Sequence, residues 1–300
     1  MHGLAQFIMR NPLSAALVAA SCAVLSLLLP PLLLLSGATV ALVSLRKGAQ
    51  QGALTIALAS IGTGVLAYLS IGAALPVIWL ALLHWLPLLV LAVVLRATVS
   101  LAFTLQFAAL LGSAAVLGFY LILGDPAAWW INIVDATLSE LQQADFVRDP
   151  LLLEQLREII EAWAPLLPGQ IVSSLLLSLV LALLLGRWWQ SLLYYPGGFQ
   201  QEMHSLRLGH PLALGMVLLL GLSLALGWPI LINLALVVGL ICTVYGIALV
   251  HALVALAGLS KIWLVLFYLL LFIVLSQLVL VLALVDAWVD FRSRLKPSRS

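Results

Sequence analysis

The stretch from Ile230 to Ala257, ILINLALVVGLICTVYGIALVHALVALA, holds no Asp, Glu, Lys or Arg and is bracketed by Pro229 and Gly258. About 20 apolar residues of helix suffice to cross a bilayer, and this run is long enough. Its apolar residues are continuous, without the polar/apolar alternation of a membrane β-barrel strand. Backbone amides in lipid have no water to bond, so such a run satisfies them only as a helix. The reading is an all-α protein with lipid as the solvent for most of its surface.

The rest of the chain repeats the pattern. Of 300 residues, 65% are hydrophobic and 8% charged, against about 25% charged in a soluble domain. Further apolar runs lie at 12–29, 31–45, 52–70, 74–95, 98–123, 169–193, 212–228 and 261–289. Pro30-Pro31, Arg46-Lys47-Gly48, Ile71-Gly72 with Pro76, Arg96 and Pro229 separate them. The expectation is a polytopic transmembrane helix bundle of eight or nine spans. The run after Arg10 passes beyond Cys22 to Leu29, so it reads as an uncleaved first span and not as a signal peptide. Cys22 and Cys242 lie inside apolar runs and read as small packing residues, with no metal expected.

Charge gives an orientation. Arg10, Arg46, Lys47, Arg96, Arg187 and Arg207 fall on one side of the membrane, which the positive-inside rule makes cytoplasmic, as is the N-terminus. The segment 125–168 then falls outside. It holds eight of the chain's 11 acids (Asp125, Asp135, Glu140, Asp145, Asp149, Glu154, Glu158 and Glu161) against two bases, Arg148 and Arg157. Four regions follow: a five-span bundle over 1–124, an acidic extracytoplasmic segment over 125–168, a second bundle over 169–291 containing a cytoplasmic loop at 194–211, and a basic tail over 292–300. A conflict remains at the tail. Nine spans place Arg292, Arg294, Lys296 and Arg299 outside; eight spans place them inside, with one late segment failing to cross. The run 212–228, bracketed by Pro211 and Pro229, is the shortest late one.

The segment 125–168 reads as an amphipathic helical hairpin. Trp130, Val134, Leu138 and Leu141 recur at helical spacing in its first half. In the second, Asp149 is a candidate N-cap with Pro150 at the first helical position. There Leu152, Leu156, Ile159, Ile160 and Trp163 form a stripe opposite Glu154, Arg157, Glu158 and Glu161. In the loop 194–211, Pro196-Gly197-Gly198 predicts a turn followed by a short helix. Phe199, Glu202, Met203, Leu206 and Arg207 are its candidate residues for docking a protein partner. Asp290 is placed to pair with Arg294, one helical turn on.

Polar side chains at membrane depth are costly and mark candidate sites. Gln106, Asn233, Tyr245 and His251 are the candidate ligand-pocket residues; His84 and Gln277 are further buried polar positions. Amides and hydroxyls of this kind also join helices. Small residues at Ala15, Ala19 and Ala23, and at Ala248 and Ala252, predict close helix contacts. The chain shows no Ser/His/Asp set, no HExxH and no paired mid-membrane carboxylates. Catalysis, a cofactor and a nucleic-acid partner are therefore not expected; the bilayer is the constant partner.

Pro30-Pro31 with Arg46-Lys47-Gly48, Pro196-Gly197-Gly198-Phe199 with Glu202 and Leu206-Arg207-Leu208, and the terminal Asp286-Ala-Trp-Val-Asp-Phe-Arg carry a resemblance to YybS-like proteins. These are bacterial multi-pass membrane proteins with no established reaction. Met203 stands where that pattern has an aromatic. The first half of the family is distantly similar to the substrate-binding membrane components of energy-coupling-factor transporters and to the cell-shape protein MreD. The resemblance implies an inner-membrane protein with a core like those components, and no catalytic residue. Two functions follow as expectations: binding of a small molecule within the bundle as part of a transport system, or scaffolding through the loop 194–211 or the acidic hairpin.

Overall fold

The computed structural model describes residues 1–143, 150–260, 262–271 and 275–295. Asp145, Arg148, the N-cap candidate Asp149, Lys261, Lys296 and Arg299 lie outside the described residues. Those residues form helices and connecting turns, with no strand among them. In chain order the helices are α1 (His2–Arg10), α2 (Pro12–Leu25), α3 (Leu32–Lys47), α4 (Ala49–Ile71), α5 (Ala74–Thr98), α6 (Leu101–Leu123), α7 (Pro126–Gln143), α8 (Pro150–Trp163), α9 (Leu167–Tyr194), α10 (Gly198–Ser205), α11 (His210–Leu226), α12 (Pro229–Leu256), α13 (Ile262–Leu270), α14 (Ser276–Val289) and α15 (Phe291–Leu295).

Five helical runs are long and apolar enough to cross a membrane: α4, α5, α6, α12 and the run ending in α9. The bent pair α10–α11, with 54° between its halves, makes a sixth if it counts as one span. Eight or nine spans need further crossings from shorter pieces. Helices α2 and α3 have 14 and 16 residues, about 21 and 24 Å of helix against a hydrocarbon core of about 30 Å. The apolar run 261–289 is not one helix, because α13 ends at Leu270 and α14 begins at Ser276.

Lipid tails are as apolar as leucine, so helices associate in a membrane by close packing and polar joints. Helix α3 shows this best. Its small residues Ser36, Gly37, Ala38, Thr39 and Ala41 are fully buried, and it packs on α2, α4, α5 and α9. At Gly186 of α9 an added Cβ would stand 2.7 Å from Ala41 Cβ and 3.0 Å from the Ala38 carbonyl oxygen. Only glycine permits that approach. Ala15, Ala19 and Ala23 of α2, and Ala248 and Ala252 of α12, are likewise buried. A polar relay ties three helices: Trp85 Nε1 donates to Ser36 Oγ at 3.0 Å, and Ser36 Oγ donates to the Ala19 carbonyl at 2.7 Å. Leucines and isoleucines such as Leu69, Leu83, Leu110, Leu121 and Leu218 cover the outside of the bundle.

Asp125 caps α7 by accepting from the amides of Ala127 and Ala128 at 3.0 and 3.2 Å. Arg157 of α8 meets Asp135 of α7 at 3.2 Å. Helix α8 does not end in a loop. One 3-10 turn, Ala164–Leu166, carries it into α9, and Leu153–Tyr194 is a single helical run of 42 residues. Of the predicted α8 stripe, Leu156, Ile159 and Trp163 are exposed, whereas Leu153 is buried.

The last segment begins and ends at the same end of α12. The chain leaves α12 at Leu256, and Tyr268 of α13 lies 2.8 Å from His251. After α14, Arg292 lines a cleft with Ala252, Ala255 and Leu256. Asp290 meets Arg207 at 2.7 Å and does not pair with Arg294, whose Nε donates to the Val289 carbonyl. The sequence-based Asp290–Arg294 pair fails because Asp290 leaves the helix, with φ of 48°, and turns its carboxylate toward the loop after α10.

Candidate functional site

The four polar residues expected to line a pocket hold four separate joints. Asn233, fully buried, accepts from the Gly169 amide at 2.9 Å and donates to Tyr120 Oη and the Pro165 carbonyl, both at 2.8 Å. It welds α12 to α6, α9 and the 3-10 turn. Tyr245 Oη donates to the Ala102 carbonyl at 2.7 Å, joining α12 to α6. Gln106 Nε2 donates to the Leu208 carbonyl at 3.3 Å, fixing the link between α10 and α11. His251 pairs with Tyr268. Asn233 and His251 sit about 27 Å apart along α12. Each group is satisfied by a partner on another element, as polar groups within an apolar bundle must be. They do not converge on a common cavity. His84 is buried with neither ring nitrogen partnered among the described residues.

The loop residues expected to dock a partner turn toward their own chain. Leu206 is buried, and Met203 packs on the main core. Phe199 is half-buried, and its amide donates to Ser191 Oγ at 3.1 Å. Arg207 is exposed but tied to Asp290. Glu202 meets Arg187 Nε at 2.8 Å across the α9–α10 corner.

That corner forms one wall of a cleft of about 720 Å³, in which three arginines and an acid stand among apolar residues that include Leu45, Leu95 and Val99. Its lining comes from the ends of α3 and α5 (Arg46, Arg96), from α9 (Arg187, Gln190) and from α10 (Phe199, Glu202). Each arginine is locally held. Arg96 Nη1 donates to the Leu45 carbonyl at 3.0 Å, and the Arg46 guanidinium lies 4.1 Å above the centre of the Tyr194 ring. Arg187 Nη1 donates to the Oε1 of buried Gln190 at 2.6 Å. Arg46 and Arg96 have no carboxylate partner among the described residues, and Glu202 is the one acid in the lining. Val99, also in the lining, caps α5 in a left-handed conformation, φ 50°. A β-branched residue is strained there.

In the sequence these arginines mark orientation alone; the structure brings all three to the lining of one cleft. The signal was present: each stands at the same end of its apolar run, Arg46 after 31–45, Arg96 after 74–95, and Arg187 near the end of 169–193. Residues at matched depth on neighbouring helices share one end of a bundle.

A second cleft of about 460 Å³ lies beside α10, lined by His204, Arg207, Leu256 and Arg292. There the charges are internally matched, Arg207 with Asp290 and Arg292 with Asp286 at 3.3 Å. An apolar groove of about 430 Å³ runs along Pro87, Leu111, Val172 and Leu175. No group of metal-binding side chains occurs among the described residues. No protein-family model matches this chain, and neither a curated protein nor a solved structure shows significant similarity to it.

Proposed function

We propose that this chain is a non-enzymatic inner-membrane protein that binds a small polar molecule in the cleft between α3, α5, α9 and α10, as part of a transport system. The observation that supports it is the cleft itself: three arginines from three helices face one acid in a space the size of a small-molecule site. The resemblance to YybS-like proteins points the same way. The mid-bundle polar residues serve as joints in this reading.

Eight crossings fit the charges: α2, α3, α4, α5, α6, α9, α11 and α12. The N-terminus and the loop 194–211 are then cytoplasmic, and α7 and α8 lie outside. The segment carrying α13 and α14 enters and returns on the cytoplasmic side, which puts Lys261 and the basic tail inside as well. The non-crossing segment is then 261–289, and not 212–228. Arg148 and Arg157 become the only bases outside.

Purification in mild detergent, followed by mass spectrometry of proteins and small molecules in the same sample, tests the reading. A stoichiometric small molecule supports it. A constant protein partner without one favours scaffolding, for which the exposed Leu156, Ile159 and Trp163 of α8 are the available apolar face.

A further inference from the structure

Resting on the reading that the cleft binds a ligand, we propose that Arg46, Arg96 and Arg187 form a site for a phosphate group, carried by a phosphorylated small molecule or by the headgroup of an anionic phospholipid. Charge makes the first argument. Three guanidinium groups against Glu202 leave two positive charges unbalanced in the lining. A phosphate monoester carries about −1.5 to −2 near neutral pH, whereas a carboxylate carries one charge. A phosphate monoester therefore balances the cleft where a carboxylate does not; a phosphodiester headgroup carries one charge, as a carboxylate does, and is favoured by donor geometry alone.

Donor geometry makes the second. Arginine presents five N–H donors in a planar fork that matches phosphate oxygens. Arg96 commits one nitrogen to the Leu45 carbonyl, and Arg46 is oriented by stacking on Tyr194. Their remaining donors are uncommitted among the described residues. Both side chains are thus positioned without being neutralised.

Glu202 makes the third. Its carboxylate occupies Arg187 Nε at 2.8 Å, the place an anion would take, and it rides on α10, an eight-residue helix next to the Gly197 turn. Glu202 acts as an internal competitor. A phosphate entering the cleft displaces it from Arg187 and loosens α10 from α9, so binding is reported at the α9–α10 corner.

The test uses the full chain, depleted of lipid in an uncharged detergent. Binding of inorganic pyrophosphate is titrated, and retention of phosphatidylglycerol against phosphatidylcholine is followed by native mass spectrometry. Saturable pyrophosphate binding identifies a soluble phosphorylated ligand; selective retention of phosphatidylglycerol alone identifies a lipid headgroup. In either case the Arg46→Gln/Arg96→Gln variant should bind about tenfold or more weakly, since charge-assisted bonds are lost. Glu202→Gln should bind about tenfold more tightly, because a like charge leaves the site. That gain cannot come from misfolding. Binding of neither probe above the phosphatidylcholine control, or binding that neither variant changes, overturns the proposal. An uncharged molecule co-purifying with the cleft would overturn the phosphate assignment alone, and an empty cleft would overturn the binding reading as well.

Discussion

Arg187 and Glu202, fifteen residues apart, meet at 2.8 Å with side chains only 25% and 18% exposed, and so pin the short α10 against the end of α9. Partial shielding makes such a pair stronger than an exposed one, and removing one partner costs more than the pair itself contributes. Glu202→Ala should leave Arg187 half-buried without a carboxylate, held by Gln190 alone, and free α10. Hydrogen exchange should show faster amide exchange over 198–205 with α3 and α5 unchanged. Unaltered exchange at α10 would show that other contacts hold it.

Asn233 gathers three hydrogen bonds from three elements. Asn233→Ala strands the Gly169 amide, the Pro165 carbonyl and Tyr120 Oη. Polar joints in membrane bundles contribute about 0.6–2 kcal/mol each, so the variant should lose about 2 kcal/mol in a detergent unfolding titration. An unchanged midpoint would mean that water or another group replaces the amide.

Gly186 admits no side chain against α3. Gly186→Leu should drive α9 from Ala38 and Ala41 and cost about 1–3 kcal/mol, the range for overpacking. Gly221, with open space around its Cβ position, serves as the control: Gly221→Ala should be nearly silent.

The Arg207 hydrogen bond holds the Asp290 carboxyl below its ordinary pKa of 3.8. A carboxylate whose folded pKa is depressed stabilises at pH above its unfolded value and loses that contribution as pH falls through the folded one. The tie between the α10–α11 link and the end of α14 should therefore be intact at neutral pH and weaken only below pH 3.8. A spin-label distance between positions 205 and 293 should widen in that range, and Asp290→Asn should remove the dependence. A widening near pH 6 would assign it to a different group.

Much of this fold is legible in the sequence. The runs 74–95, 98–123 and 230–257 become α5, α6 and α12 to within a few residues, because Pro, Gly and Arg mark where apolar helix must stop. Periodicity shows which face of a helix is apolar, but not which helix covers it. Gln106, Asn233, Tyr245 and His251 stand out as polar residues within apolar runs for that reason, while their partners, Leu208, Gly169, Ala102 and Tyr268, belong to other segments with no pairing signal. Hydropathy likewise reads 261–289 as one run. It cannot register that the chain returns to the end of α12 from which it left.

That return has a topological consequence. Ser298→Cys, in a background with Cys22 and Cys242 changed to Ala, should resist an impermeant thiol reagent in intact cells and react after permeabilisation. Labelling in intact cells would place the tail outside and restore a ninth crossing.

In the proposed function the α3–α5–α9–α10 cleft, and not the mid-bundle polar residues, holds the ligand. Gln201 of α10 also lines the cleft, and the most direct measurement compares small molecules co-purifying with the wild type with those from Gln201→Trp, which places an indole there, and from Tyr245→Phe, which removes only a mid-bundle hydroxyl. A stoichiometric molecule is expected in the wild type and in Tyr245→Phe, with its loss from Gln201→Trp. Retention by Gln201→Trp with loss from Tyr245→Phe would contradict it and return the site to the interior of the bundle.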